Sequence, residues 1–263
     1  RYYAAHTGRW GGDDKINLQN LPSRGPNGKK LKSSIVAPEG YSLIDCDSSQ
    51  IEARVLAWLA GQDDLTNAFA KGDDVYKHMA SSIYNVPSDG VSKDQRFVGK
   101  TTILGAGYGM GAVKFQLQLQ GMGVYIELDE ARRIIDIYRS TNGAISQLWR
   151  EANNMVQYMA RGDSVQFGKE GVLQVDARKN AIMLPSGLPM FYHGLAAEKS
   201  ERGYEYTYRT RKGPNRIYGG KVVENVCQAV ARCIIGHQMI LLAKRYKAVL
   251  TVHDSIITCV RDE

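Results

Sequence analysis

Two aspartates far apart in the chain, Asp47 and Asp254, each follow a short hydrophobic run, Ser42-Leu43-Ile44 in one case and Ala248 to Val252 in the other. A carboxylate at the tip of a strand commonly caps a helix or closes a turn. Two of them can also hold hard divalent cations, because Mg²⁺ takes one or two protein carboxylates and completes its shell from water and substrate phosphates. Two such ions about 3.5–4 Å apart clamp the attacking and leaving oxygens of a phosphoryl transfer. A second set, Arg96, Lys100, Leu104 and Tyr108, recurs at every fourth position. On a helix this aligns guanidinium, ammonium, aliphatic and phenol groups along one face. That order suits a triphosphate bound lengthwise, with the cations on the phosphates and the Leu104–Tyr108 end near sugar and base. A solvated basic face has the same composition.

Three shorter signals fail on spacing. Gly99-Lys100-Thr101 resembles the end of a P-loop, but the glycine required at its start falls on Asp94. The glycines at 105, 107, 109 and 111 supply no G-x-G-x-x-G in register after a strand. His253-Asp254-Ser255 holds the residue types of a hydrolase triad, yet sequence neighbours on a strand or tight turn cannot converge on one proton path.

The elements that must carry these groups follow from periodicity. Residues 1–38 are turn-rich, broken by Gly11, Gly12, Pro22, Gly25, Pro26 and Gly28, and predict loops with short strands. Ser42 to Ile44 reads as a short buried strand entering an acidic turn. Ile51, Val55, Trp58 and Leu59 then recur at helical spacing. Further helices are predicted over Asp74 to Tyr84, Lys93 to Leu104, Leu128 to Tyr138 and Ile145 to Ala160. Short β-like pieces occupy Gly168 to Gly203, followed by a basic, tyrosine-rich loop. A long helix from Lys221 shows Val222, Val226, Val230, Cys233, Ile234, His237 and Leu241 on one face. Two β-prone runs, Ala248 to Val252 and Ile256 to Val260, flank His253-Asp254.

The 263 residues are 43% hydrophobic, enough for one large or two small cores, and exclude a disordered chain. No apolar run approaches the roughly 20 residues of a membrane span. The net charge of +7 is concentrated in two places. Residues 1–32 carry seven basic against two acidic residues, and residues 201–222 six against two, the latter interleaved with Tyr204, Tyr206, Tyr208 and Tyr218. Such segments suit phosphate backbones, although solvated loops look alike. Cys46, Cys227, Cys233 and Cys259 have neither C-x-x-C pairing nor a histidine at ligand spacing, which points to reduced thiols of a cytoplasmic protein. The chain begins on Arg1 and ends directly after a strand-like run, and is expected to be a piece of a longer protein.

Together these residues carry a resemblance. Asp47-Ser48-Ser49-Gln50-Ile51-Glu52-Ala53-Arg54 resembles motif A of family A DNA polymerases, the DNA polymerase I type. Arg96-x-x-x-Lys100-x-x-x-Leu104-x-x-x-Tyr108-Gly109 resembles motif B, and Val252-His253-Asp254 resembles motif C. Thr7-Gly8-Arg9, Asn17-Leu18-Gln19-Asn20-Leu21-Pro22 and Glu224-Asn225-x-x-Gln228 are similar to the family's entry into the palm and its palm helix. The match spans nearly the whole chain in order, and spellings such as Asp74-Val75-Tyr76-Lys77-His78 look more like bacteriophage members.

The resemblance implies an α+β fold: a polymerase palm of antiparallel sheet with helices, from residues 1–60 and 216–263, with mainly helical fingers, 61–215, inserted between. It implies Asp47, Asp254 and the Ser48 carbonyl as ligands of two Mg²⁺ ions, for which Mn²⁺ can substitute. Arg96 and Lys100 would hold the triphosphate, with Lys100 also protonating the leaving pyrophosphate. Tyr108 would stack near the templating position, and Glu52 would disfavour a ribose 2′-OH. Gln50, Tyr76 and Leu104 complete the implied nucleotide site. Arg9, Gln228 and His253 would contact the primer terminus or the minor groove. Asn17, Gln19, Asn20, Arg24, Arg54 and Asn225 would join them in binding primer-template DNA.

Four positions depart from the family pattern. Leu104 stands where an aromatic is usual, Tyr76 where a phosphate-contacting histidine is, Ser48 where a tyrosine is common, and Ser255 where a glutamate commonly follows the second aspartate. The implied activity is template-directed addition of dNTPs to a primer 3′-OH in the cytoplasm, the host's if phage-encoded, with no membrane and with replisome partners left open. A metal-dependent nuclease and a DNA-binding fragment without turnover are the competing readings.

Overall fold

The computed structural model describes residues 5–12, 17–21, 28–201 and 203–262. Up to Pro38 the described residues form turns, a 3-10 helix at Leu18–Asn20 and a short helix α1 (Gly28–Ser33), rather than the short strands expected there. Strand β1 (Tyr41–Asp47) follows, then seven helices: α2 (Ile51–Ala60), α3 (Asp63–Lys71), α4 (Val75–Tyr84), α5 (Lys93–Ala106), α6 (Ala112–Gly121), α7 (Leu128–Thr141) and α8 (Gly143–Arg161). Short strands come next: β2 (Gln166–Phe167), β3 (Leu173–Asp176), β4 (Ala181–Met183), β5 (Pro189–Phe191), β6 (Ala196–Ser200), β7 (Gly203–Thr210) and β8 (Gly213–Ile217). The chain ends in a long helix α9 (Gly219–Leu242) and the hairpin of β9 (Ala248–Val252) and β10 (Ser255–Arg261). It divides into two compact units, residues 1–51 with 228–263, and residues 52–227.

The first unit is built on an antiparallel sheet in the order β1-β10-β9. The central strand β10 is buried from Ser255 to Thr258, as its position between two partners requires. Strand β1 was expected to be buried. It lies instead at the sheet edge and is largely exposed, with Ile44 at 46%. An apolar triplet read alone cannot tell a central strand from an edge strand that has one partner. The second half of α9 belongs to this unit, and its Arg232 guanidinium lies 5.7 Å from the Trp10 ring centroid.

The second unit is a helical assembly with two small antiparallel sheets, β2-β3-β4-β5 and β6-β7-β8. Its core is drawn from α2 to α7, with Met79, Ile83, Phe115, Leu119, Ile134 and Tyr138 among its buried side chains. Local chemistry sets the helix ends. Asp74 caps α4 by accepting from the Tyr76 and Lys77 amides. Ser92 and Gln95 close a reciprocal capping box on α5. Asn85 ends α4 in the left-handed region at φ 51°. Helices α4 and α5 meet at Gly99, where an added Cβ would strike the Tyr76 carbonyl oxygen and lie 2.9 Å from the Ala80 amide nitrogen. Only glycine permits that approach. The stretch from Glu201 to Val222, expected as a basic loop, is mainly the β7–β8 hairpin. Alternate tyrosines face one way in β7, and Tyr208 is buried.

Candidate active site

In the first unit, backbone register brings the two aspartates to one end of one sheet. Asp47, the last residue of β1, pairs with Ser255, the first residue of β10 and the neighbour of Asp254. Val252 pairs with Ser255 across the hairpin, so His253-Asp254 is a two-residue turn, with His253 held at φ 54°. The Ser48 amide donates to the Asp254 carbonyl at 3.1 Å, and the Ser255 hydroxyl donates to Asp47 Oδ2 at 3.4 Å. Asp47 is exposed and Asp254 half-buried, so ligands can reach both carboxylates. Ser255, a departure from the family's glutamate, is thus engaged with the first aspartate. The Ser48 hydroxyl donates to Gln238 Oε1 at 3.1 Å, a partner on α9 that sequence reasoning missed.

The groups near this sheet end include the Asp47 and Asp254 carboxylates and the Ser48 carbonyl, which accepts from the Ile51 amide at 3.1 Å, all hard oxygens. Among the described residues no group of three or more His, Cys, Asp or Glu could hold a metal ion. A site of this composition fits a cation such as Mg²⁺ that completes its octahedron from water and phosphate oxygens, and it lacks the nitrogen and sulfur ligands of a zinc centre.

Other expected residues of this unit take mixed positions. Asn17 caps the 3-10 helix at Leu18–Asn20 by accepting from the Gln19 amide at 3.1 Å, and Gln19 Nε2 donates to Thr251 Oγ1 on β9 at 3.5 Å. Gln50 sits at φ 58° in the turn between β1 and α2. Asn20 and His253 are exposed, and Arg9 and Gln228 are half-buried. Arg24 lies outside the described residues.

In the second unit, the cations lie where α5 crosses α4. Arg96 Nε donates to Asp74 Oδ2 at 2.6 Å, its guanidinium carbon lies 5.3 Å from the Tyr76 ring centroid, and Lys100 Nζ lies 5.8 Å from the same ring. Burial pushes the Asp74 carboxyl up, but the Arg96 hydrogen bond and the Lys77 and Tyr76 amides outweigh it and hold its pKa below 3.8. Asp74 therefore caps one helix and pins the arginine of the next, a role the sequence pattern did not reveal. Tyr76 is 5% exposed and offers its ring to the cations, so the expected phenol-to-phosphate contact is replaced by support from beneath. Burial raises its hydroxyl pKa, against the opposing charge of Arg96.

Helix α5 ends at Ala106, so Tyr108 is carried by the following turn and not by the helix face itself. That turn is locked from two sides. Trp149 Nε1 donates to the Gly107 carbonyl at 2.9 Å, and Gly220 presses on the Tyr108 carbonyl so closely that no Cβ fits. Burial, then Cys227, Glu52 and Glu224, push the Tyr108 hydroxyl far above its ordinary value, which keeps it neutral and places Glu52 in its electrostatic surroundings. Leu104 is 44% exposed on α5 and Lys100 is exposed four residues before it.

Two further expectations meet packing roles. Asn225 is 5% exposed and its amide donates to the Tyr192 hydroxyl at 3.3 Å, which places it inside the fold instead of on a surface that DNA could touch. Arg54 donates to the Phe69 carbonyl at 3.2 Å and lies 4.8 Å from the Phe69 ring centroid, tying α2 to α3.

Residues 2–180 match DNA polymerase family A, and the chain belongs to that family. It is 40% identical to DNA polymerase I of Pseudomonas aeruginosa over 134 residues, 51% of this chain and 14% of that protein. It is 38% identical to the thermostable DNA polymerase I of Thermus aquaticus over 135 residues, 51% of this chain and 16% of that protein. A DNA polymerase of Bacillus phage SP02 aligns at 27% identity with 97% of this chain and 45% of its own length. The chain thus spans less than half the length of each of these relatives. Among solved structures, the POL domain of Pol1 from M. smegmatis, in complex with DNA primer-template and dNTP, superposes with a TM-score of 0.63 at 23% identity. That match covers 98% of this chain and 40% of that one, and shows the fold.

Proposed function

We propose that this chain is the nucleotidyl-transfer portion of a template-directed DNA polymerase, with residues 1–60 and 216–263 as palm and 61–215 as fingers. The observation that carries the proposal is the β1-β10-β9 register, which sets Asp47 beside the Asp254 turn at one sheet end. Asp47, Asp254 and the Ser48 carbonyl would hold two divalent ions, Mg²⁺ or Mn²⁺. Bound there, such ions lower the pKa of an attacking hydroxyl and offset charge on the departing phosphates. The reaction joins the primer 3′-oxygen to the α-phosphorus of a dNTP and breaks the bond to the β-phosphate, releasing pyrophosphate.

The chain's own residues divide the remaining work. Arg96 and Lys100 neutralise the triphosphate, and Lys100 hands a proton to the pyrophosphate. Arg96 must first exchange its Asp74 carboxylate for phosphate oxygens, while Tyr76 keeps both cations oriented. Tyr108, neutral and fixed by its turn, offers a stacking surface for the template base. Glu52, close to it, disfavours a ribose 2′-OH. Arg9, Gln19, Gln228 and His253 face the duplex, and binding there is salt-sensitive because phosphates dominate such contacts.

Primer extension with dNTPs and Mg²⁺ tests the proposal. Asp47→Ala and Asp254→Ala are expected to cut the rate by about a thousandfold or more, several kcal/mol of lost charge stabilisation. Undiminished extension by either variant would overturn it. Shortening of the primer without added nucleotides would favour a nuclease instead.

A further inference from the structure

The hairpin of β7 and β8 builds a second surface that none of these roles uses. Alternate residues of β7 share one face, and Tyr204, Tyr206 and Tyr208 stand there in a row. Tyr208 is consumed by the fold: its ring meets Tyr192 edge-on at 5.1 Å between centroids, and its hydroxyl accepts from Asn215 Nδ2 at 3.4 Å. Of the other two, Tyr204 is 64% exposed and Tyr206 is half-buried. Together with Tyr218, itself 50% exposed, they line a cleft of about 400 Å³ whose opposite wall is Asn153 and Gln157 of α8. Arg216, ion-paired with Glu205, lies at its edge, and the exposed Lys199 pairs with Tyr204 across β6 and β7.

We propose that this cleft is a binding site for single-stranded DNA, taking unpaired bases of the template strand. Residues i and i+2 of a strand are about 6.7 Å apart. That is twice the rise of about 3.4 Å per nucleotide, a backbone spacing that matches one base taken between two side chains. Sequence-tolerant stacking of this kind, with cations beside it, is how proteins hold single strands. Asn153 and Gln157 line the facing wall with side-chain amides, while Lys199, Arg216 and the exposed Arg211 and Lys212 at the hairpin tip supply charge for the phosphates. A docking peptide would not need two tyrosines on alternate positions of one strand, flanked by cations on the neighbouring strands β6 and β8. The proposal deepens the polymerase reading, since the strand it takes is the template.

The test is fluorescence anisotropy with a labelled oligothymidylate, beside primer extension on a template with a one-nucleotide overhang. Tyr204→Ala and Tyr206→Ala are each expected to weaken oligothymidylate binding about tenfold, Tyr204→Phe to retain it, and all three to leave one-nucleotide extension unchanged. Oligothymidylate affinity equal to that of the unaltered protein in both alanine variants overturns the site while leaving the polymerase reading intact. Loss of affinity in Tyr204→Phe as well would overturn stacking as its cause. Failure of the unaltered protein to extend any primer would sink the polymerase reading independently, because binding is measured without turnover.

Discussion

The carboxylate end of the β1-β10-β9 sheet and the cation face where α5 crosses α4 are held by different means. At the sheet end, positions are set by backbone: strand register, a two-residue turn and the Ser48 amide on the Asp254 carbonyl. The aspartate side chains have little to hold and stay available for ligands. At the helix crossing, positions are set by side chains and by an absent one. Gly99 lets α4 and α5 touch, Tyr76 lies under two cations, and Asp74 grips Arg96. A scaffold made of backbone suits groups that must not move when ions bind. A scaffold made of exchangeable side-chain pairs suits groups that must trade one anion for another.

That contrast can be broken first at Gly99. Gly99→Ala drives a methyl group into the Tyr76 carbonyl, where no side-chain rotation can relieve it. The expected cost is about 2–3 kcal/mol, typical of overpacking, and a melting temperature lower by roughly 5–10 °C. Because α4 must retreat from α5, dNTP affinity should fall as well, while metal binding at the sheet end is untouched. A variant with unchanged melting temperature and dNTP affinity would show that the helix crossing does not position the cations.

The complementary test is made on the turn. His253 is a non-glycine residue in the left-handed region. His253→Val adds β-branching there and should cost about 1–2 kcal/mol, with extension falling as the neighbouring Asp254 shifts. His253→Gly should keep the turn and its stability, and so separates the backbone from the imidazole. If glycine and valine behave alike in thermal melts, backbone geometry is not what holds this end.

Much of this was legible in the sequence because the informative residues obey local rules. The Asp47 and Asp254 motifs sit at strand tips, and helices α4, α5, α7 and α8 appear within a few residues of their expected spans, since their apolar spacing and caps agree. Other elements were not legible. In α6 the run Val113, Phe115, Leu117, Leu119 alternates with period two, yet the segment is helical, with Phe115 and Leu119 buried and Val113 and Leu117 exposed. Packing of Phe115 and Leu119 into the core with Ile134 and Tyr138 of α7 decides its form, and that is a tertiary fact. The β7–β8 hairpin was hidden by its charge, which reads as a loop until pairing is known. The grip of Asp74 on Arg96 joins positions far apart in sequence, and no pattern in either segment announces the other. Asn225 shows the reverse error, a motif residue whose amide serves the core.

The smallest expected effect falls on Asp74 itself. Its folded pKa is depressed, burial being outweighed by Arg96 and the α4 amides. A group depressed on folding contributes stability above its unfolded value and loses it as pH falls through the folded one. The contribution is therefore complete at neutral pH and fades as pH falls from the ordinary carboxylate range towards the lower folded value. Asp74→Ala removes the cap at a cost of about 1 kcal/mol, a shift of roughly 2–4 °C. It should also flatten the acid limb of the melting curve between the wild-type protein and the variant. Its effect on nucleotide affinity is expected to be small and positive, because Arg96 no longer has to leave a carboxylate to reach phosphate. Titration of dNTP against Asp74→Ala and Asp74→Asn decides the matter: tighter binding in both identifies an exchangeable partner, and weaker binding in both identifies a fixed support, which would make the helix crossing as static as the sheet end.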